Sequence, residues 1–204
     1  MRPPGNFMRP WLTASVIALV SLPAFAQRFG AENLGPAIPT PQFLVDRMLE
    51  AGRVKSGEML YDLGSGDGRV VITAVQRYGA RAVGVELMPD LVHKARERVL
   101  TLGLADRVSI VEGSALRVDL SPADVVTMWF LTDSNERLRP NLEKCLKVGA
   151  RVVSNQFPVR GWKPIRNSLL PMSEQNRNDC LPDCERGGVM RQNWGNSKAT
   201  FGSP

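Results

Sequence analysis

Met59-Leu-Tyr-Asp-Leu-Gly-Ser-Gly-Asp-Gly-Arg69 is the stretch that decides the architecture. Its apolar half, Met59 to Leu63, reads as a strand. Val70, Val71, Ala74 and Val75 then supply helical spacing immediately beyond it. Glycines at 64, 66 and 68 remove every Cβ along one side of the intervening turn, so the backbone can approach a ligand and take positive φ. The helix that follows begins with unpaired N–H groups and a partial positive charge, which suits a carboxylate or phosphate. Strand, glycine turn and helix together open a nucleotide-binding βαβ unit.

The chain alternates strand and helix on either side of this point. Thr40 and Pro41 read as N-cap and first-turn proline of a helix carrying Leu44, Val45, Met48 and Leu49 and ending near Gly52. Arg81–Val85 is a second strand closed by Glu86. A carboxylate there can accept both hydroxyls of an adenosine ribose. Pro89–Leu102 is a helix with Leu91, Val92, Ala95, Val99 and Leu102 on one face and Gly103 to end it. Val108–Val111, Asp124–Phe130 and Arg151–Phe157 are further strands, and a helix over Asn135–Lys147 contains Pro140. The fold expected is α/β, a doubly wound, mostly parallel sheet. Trp129, Phe130 and Thr132 end its fourth strand, where ligands of open sheets bind.

Glycine at position 69 would be needed for a dinucleotide fingerprint, and Arg69 stands there. The Gly-x-Gly-x-Gly behind Asp62 instead resembles the first motif of class I S-adenosylmethionine (SAM) methyltransferases. Further likeness lies in Pro39-Thr40-Pro41, in Arg137-Leu-Arg-Pro-Asn-Leu142, and in Gly149-Ala-Arg-Val-Val-Ser154 before Trp162-Lys-Pro164. Over roughly residues 38–164 the chain looks like bacterial relatives of the mitochondrial lysine methyltransferases of ATP synthase c subunit and adenine nucleotide translocase. The resemblance implies a Rossmann-like fold and SAM held by Asp62, Gly64, Ser65, Gly66, Asp67, Gly68 and Glu86. It also implies an adenine contact from Ser114, which stands where many relatives have Asp. The reaction implied is methyl transfer to an acceptor amine, a protein lysine. Trp129 and Phe130 line the acceptor channel in this reading. Asn155 and Gln156, where relatives often carry His-Asp, orient the acceptor. Trp129 and Asn155 are the catalytic candidates. A SAM- or nucleotide-binding protein without turnover and a small-molecule methyltransferase are the alternatives.

Class I sheets carry seven strands, the last two an antiparallel addition. Beyond Ile165 no pair of apolar strand runs is found, so this pair is expected to be incomplete or atypical, with 165–204 an atypical tail. At the other end, Arg2 and Arg9 precede an apolar run from Trp11 to Leu22, then Ala24-Phe25-Ala26, with no acidic residue before Glu32. This is the layout of a secretory signal peptide over 1–26, predicting export, with membrane anchoring through this segment or an organellar presequence as the alternatives. Residues 27–38 read as linker and 39–164 as the SAM-binding domain.

The 204 residues suffice for one α/β domain. A net charge of +6 comes without a dense basic block or basic–aromatic interleaving, so no nucleic-acid partner is indicated. Cys145, Cys180 and Cys184 define no disulfide framework. Cys180 and Cys184 either close a small loop or stay free. The single histidine, His93, has no ligand partners at metal spacing, and no metal is expected.

Overall fold

The computed structural model describes residues 30–164 and the backbone of two short strands at 166–169 and 188–193. Residues 1–26, read above as a signal peptide, and Cys180 and Cys184 lie outside the described residues. Helix α1 (Gln42–Gly52) leads into β1 (Met59–Leu63), α2 (Arg69–Tyr78), β2 (Arg81–Glu86), α3 (Pro89–Thr101), β3 (Val108–Glu112), β4 (Val125–Met128), α4 (Thr132–Cys145) and β5 (Arg151–Asn155). Strands β6 (Arg166–Leu169) and β7 (Gly188–Asn193) follow. They assemble one seven-stranded sheet in the order β3-β2-β1-β4-β5-β7-β6. The first five strands are parallel, as the alternation of strand and helix predicts.

The C-terminal pair corrects the expectation of an incomplete sheet. Strand β7 runs antiparallel beside β5, pairing Arg151 with Asn193 and Asn155 with Val189, and β6 pairs antiparallel with β7. What is atypical is the sequence: Arg-Asn-Ser-Leu and Gly-Val-Met-Arg-Gln-Asn show no apolar run. Parallel strands covered on both faces demand such runs, whereas an antiparallel addition does not, and backbone pairing needs no particular side chain.

Strand alternation sorts the core into two layers. Leu60, Ala82, Val125 and Val153 pack with Val45, Met48, Leu49, Val71, Val75, Val92 and Ala95 of α1, α2 and α3. Tyr61, Leu63, Val126, Met128 and Val152 pack with Leu138, Leu142 and Leu146 on the other face. A Cβ on Gly52 would lie 3.1 Å from Val125 Cγ1, so α1 rests directly on the sheet. Pro41, not Thr40, occupies the N-cap of α1, and no side chain caps it. Leu102, expected on the buried face of α3, lies past the helix end and is 43% exposed, while Gly103 takes the left-handed turn that stops it. Helix α4 begins at Thr132 and carries Pro140 inside it. His93 is exposed and lies 3.4 Å from Glu97 one turn on. Among the described residues no helix is long and apolar enough to cross a membrane, and no cluster suits a metal ion.

Candidate active site

The carboxyl ends of β1, β2 and β4 open into one cavity. Register explains its floor. Asp62 pairs with Thr127 of β4 on one side and Gly84 of β2 on the other. Thr127 therefore donates its hydroxyl to Asp62 Oδ1 at 2.7 Å, the only hydrogen-bond partner of this carboxylate among the described residues. Asp62 is buried, and burial pushes its pKa up to about 7; the nearby Glu86 and Asp67 carboxylates add to this and the Thr127 hydrogen bond opposes it.

The glycine turn is stapled to β2. The N–H groups of Gly64 and Ser65 both donate to the Val85 carbonyl, at 2.9 and 3.0 Å. The Gly66 N–H donates to Glu86 Oε2 at 2.8 Å, and Glu86 Oε1 accepts the Met88 N–H at 3.0 Å. Three backbone donors of the turn thus organise it. Each Glu86 oxygen keeps lone-pair capacity for a second donor such as a ribose hydroxyl. Gly64 is required by crowding, since a Cβ there would sit 2.7 Å from Phe130 Cζ at φ +74°. At Gly66 a Cβ would meet nothing within 4 Å, leaving open space for the ligand. Ser65 Oγ is buried without a partner among the described residues.

Asp67 is held differently from the other predicted cofactor residues. It accepts Arg69 Nε at 2.9 Å and another guanidinium nitrogen at 2.8 Å, and Arg98 approaches at 3.1 Å. Burial opposes ionisation of Asp67, but these two arginines outweigh it and hold its pKa below the usual carboxylate range. Arg69 also donates to the Thr40 carbonyl at 2.6 Å, tying the turn to the segment before α1. That segment, read from sequence as linker up to residue 38, runs along the cavity from Glu32 to Thr40. Leu34 is buried in the second core layer, its carbonyl accepting Ser134 Oγ at 2.6 Å; Arg117 pairs with Glu32, and Arg137 donates to the Ala31 carbonyl.

Trp129 and Phe130 line the cavity. Three predicted site residues do not. Gly68 caps α2 at φ +77°, and a Cβ there would meet Ala95, Ile110 and Ile72 of the core rather than the cavity. Ser114 is not in the cavity wall, and its hydroxyl accepts the Leu116 N–H at 3.3 Å within its own turn. Asn155 is fully buried, does not reach the wall, and finds no partner for either amide atom among the described residues. Gln156, the next residue, accepts the Trp129 indole N–H at 3.0 Å instead. Sequence reasoning missed Thr127, Gly84, the Arg69 fork and the 32–40 segment. The lone polar residue in an apolar strand and the lone glycine in another were the available signals for the first two. A Cβ on Gly84 would strike Ser65 Oγ at 2.7 Å, so this glycine makes room for the turn.

Four carboxylates and one guanidinium line this cavity, and the guanidinium is already engaged by Asp67. Such a wall suits a ligand that brings positive charge. The sulfonium and ammonium of SAM supply it, Glu86 offers acceptors to a ribose, and Gly66 leaves room. With the seven-stranded order, these features define a class I SAM-dependent methyltransferase. Comparison with known proteins agrees. Residues 62–166 match the ANTKMT methyltransferase domain. A protein-lysine N-methyltransferase of Saccharolobus islandicus is 44% identical over 144 residues, 70% of this chain and 88% of that one. The adenine nucleotide translocase lysine N-methyltransferase of Mus musculus is 36% identical over 59% of this chain, which spans only 52% of the mouse protein. The crystal structure of an RNA methyltransferase from Salinibacter ruber in complex with S-adenosyl-L-homocysteine superposes with a TM-score of 0.68 at 42% identity, covering 76% of this chain and 93% of that one. The chain belongs to the ANTKMT methyltransferase family.

Proposed function

We propose that the acceptor is the side-chain amine of a lysine in a protein. The observation that carries this reading is the character of the cavity beside the cofactor residues. Trp129 and Phe130 form an aromatic wall there, and Leu131 is 56% exposed next to them. An aliphatic chain ending in an amine fits such a surface, with cation–π attraction before deprotonation. The lysine named for two of the relatives above supports the same acceptor.

The RNA acceptor named for the Salinibacter ruber protein is the second reading. A polyanion needs unengaged cations at the mouth. Here Arg69, the one basic residue of the cavity wall among the described residues, is held by Asp67 and Thr40. Arg160 is paired with Asp133, Arg117 with Glu32, and Arg137 with the Ala31 carbonyl. These engagements favour protein over RNA.

When bound, SAM supplies a methyl group on a sulfonium, open to in-line attack. The residues of this chain then have three tasks. Asp62 and Glu86 hold the cofactor through its positive charge and hydroxyls. The glycine turn lets it lie close to the backbone. Trp129 and Phe130 exclude water from the approaching amine, which lowers its pKa and favours the neutral nucleophile. Bound SAM would supply the methyl group, and the task left to Trp129 and Phe130 would be to keep the amine neutral and aligned with it. Catalysis of this kind is chiefly positioning.

Methyl-labelled SAM offered with lysine peptides and, separately, with RNA tests the acceptor. Label recovered as methyl-lysine after acid hydrolysis is the expected result. Label entering only RNA would overturn the lysine reading. Export is a further proposal, resting on the sequence of residues 1–26; N-terminal sequencing of the mature chain should begin at Gln27, and a chain still starting at Met1 would refute cleavage.

A further inference from the structure

The turn after β5 is strained in a way that holding the cofactor does not require. Gln156 has φ +67°. The Phe157 N–H donates to the Asn155 carbonyl at 2.8 Å, closing three residues into the rare γ-turn with positive φ. Glycine would take this conformation without strain, and glutamine does not. Such strain persists only where the surroundings over-determine the backbone. Here the Phe157 carbonyl accepts Ser154 Oγ at 2.6 Å and Asn135 Nδ2 at 2.9 Å, and both of those side chains are buried. What the turn achieves is visible at the glutamine tip. Gln156 Oε1 accepts the Trp129 indole N–H at 3.0 Å, joining the ends of two neighbouring strands.

We propose that Gln156 is a positioning residue for the acceptor: by anchoring the Trp129 indole at its nitrogen, it fixes the ring as the wall along which the amine travels. This rests on the lysine reading above. An indole held only at Cβ can change rotamer, whereas one tethered at Nε1 has a set plane. In-line displacement depends steeply on the angle of approach, so a set plane matters more to turnover than to cofactor binding. Tethering the ring by its edge also leaves the π-face for the aliphatic chain and the cation.

Three variants test this: Gln156→Leu removes the acceptor, Gln156→Glu keeps it, and Gln156→Gly removes both the acceptor and the strain. Gln156→Leu should lower kcat/KM for a lysine peptide about five- to tenfold, the scale of one hydrogen bond. Its affinity for S-adenosylhomocysteine should stay within about twofold, since Gln156 makes no contact with the cofactor residues. In 15N–1H spectra the Trp129 indole signal, assigned by its loss in Trp129→Phe, should move and exchange faster with solvent. Gln156→Glu should restore both the signal and most of the activity. Gln156→Gly should melt higher than wild type yet lose activity like Gln156→Leu. A merely structural role would raise or preserve activity with stability. Combining Gln156→Leu with Trp129→Phe should cost no more than the Trp129 change alone. Unchanged kcat/KM in Gln156→Leu, an equal fall in cofactor affinity, or an unmoved indole signal would each overturn the proposal. If wild type methylates no lysine peptide, the lysine reading falls, and the indole signal alone decides the positioning role: a moved signal supports it and an unmoved one overturns it.

Discussion

Two strands of the same sheet end in turns that need positive backbone φ, and they meet that need in opposite ways. After β1 the positive angles fall on Gly64, Gly66 and Gly68, so none carries a side-chain penalty. After β5 the positive angle falls on Gln156, where a side chain is kept despite it. The difference follows from what each turn touches. The first must let a ligand and Phe130 approach the backbone, and any Cβ is an obstacle. The second must deliver a side-chain oxygen to Trp129, and a glycine would deliver nothing. Absence of side chain marks the glycine turn, and an expensive side chain marks the turn that holds Trp129, the acceptor half in the reading proposed above.

The largest effect should come from filling the first turn. Gly64→Ala would place a methyl 2.7 Å from Phe130 Cζ at φ +74°, and the ring must move. Backbone strain and overpacking together should cost about 2–5 kcal/mol of stability, with loss of most cofactor binding. Gly66→Ala meets nothing within 4 Å, so its stability cost should be only the strain, about 1–3 kcal/mol. Its methyl would still enter the cavity and weaken SAM binding. Thermal melts and calorimetric titration of both variants separate the two glycines. Equal melting temperatures would mean that the contact with Phe130 does not constrain the turn.

The contrast also explains which half was legible in sequence. Glycines announce positive φ by residue type, and a strand–turn–helix unit lies within one continuous stretch, so Asp62, the glycine turn and Glu86 could be read directly. Nothing in the residue type of Gln156 signals a strained turn. Its purpose emerges only when β4 and β5 are paired and Trp129 comes within reach. Asn155 is a related case: the sequence could not say which of two adjacent amides the end of the strand would turn toward Trp129. The 32–40 segment lacks periodicity because it packs through separate tethers, namely Leu34, Glu32 and the Thr40 carbonyl. Strands β1, β4 and β5 were legible because burial on both faces makes them apolar, and β3, at the sheet edge, because Val108 and Ile110 alternate with exposed residues. Strands β6 and β7 were not, because antiparallel pairing beside β5 can be made by polar sequence.

A smaller effect, separable by pH, should sharpen the cofactor half. Burial raises the Asp62 pKa from 3.8 to about 7, so the folded state holds a proton that the unfolded chain releases near pH 4. The stability from this protonated form is fully present below about pH 4 and is lost as pH rises to about 7. The whole interval is worth at most about 4 kcal/mol. Asp62→Asn keeps the acceptor for Thr127 and removes the titration. Without cofactor, this variant should melt higher than wild type at pH 8, with a flatter dependence between pH 5 and 8. It should also gain less stability from added SAM, having lost a carboxylate that answers positive charge. Parallel pH profiles for the two proteins would remove Asp62 as the source of the effect.

The smallest effect concerns the edge of the cofactor region. In the resemblance Ser114 stands where many relatives present an acid to adenine, yet the structure turns its hydroxyl toward the Leu116 N–H at 3.3 Å, a long and partly exposed bond. Ser114→Ala should therefore cost about 0.5 kcal/mol of stability or less and change SAM affinity by less than about twofold. A serine that read the adenine amino group would lose about five- to tenfold in affinity for SAM while leaving the affinity for a ligand without adenine unchanged. Titration of Ser114→Ala with S-adenosylhomocysteine and with methionine distinguishes the two. A loss confined to the adenine-bearing ligand would show that the β3 turn rearranges when the cofactor binds. An unchanged affinity would leave the glycine turn and Glu86 as the groups that hold it, and would place the determinants of adenine recognition in the backbone and apolar wall around Gly113, Ala115 and Leu87.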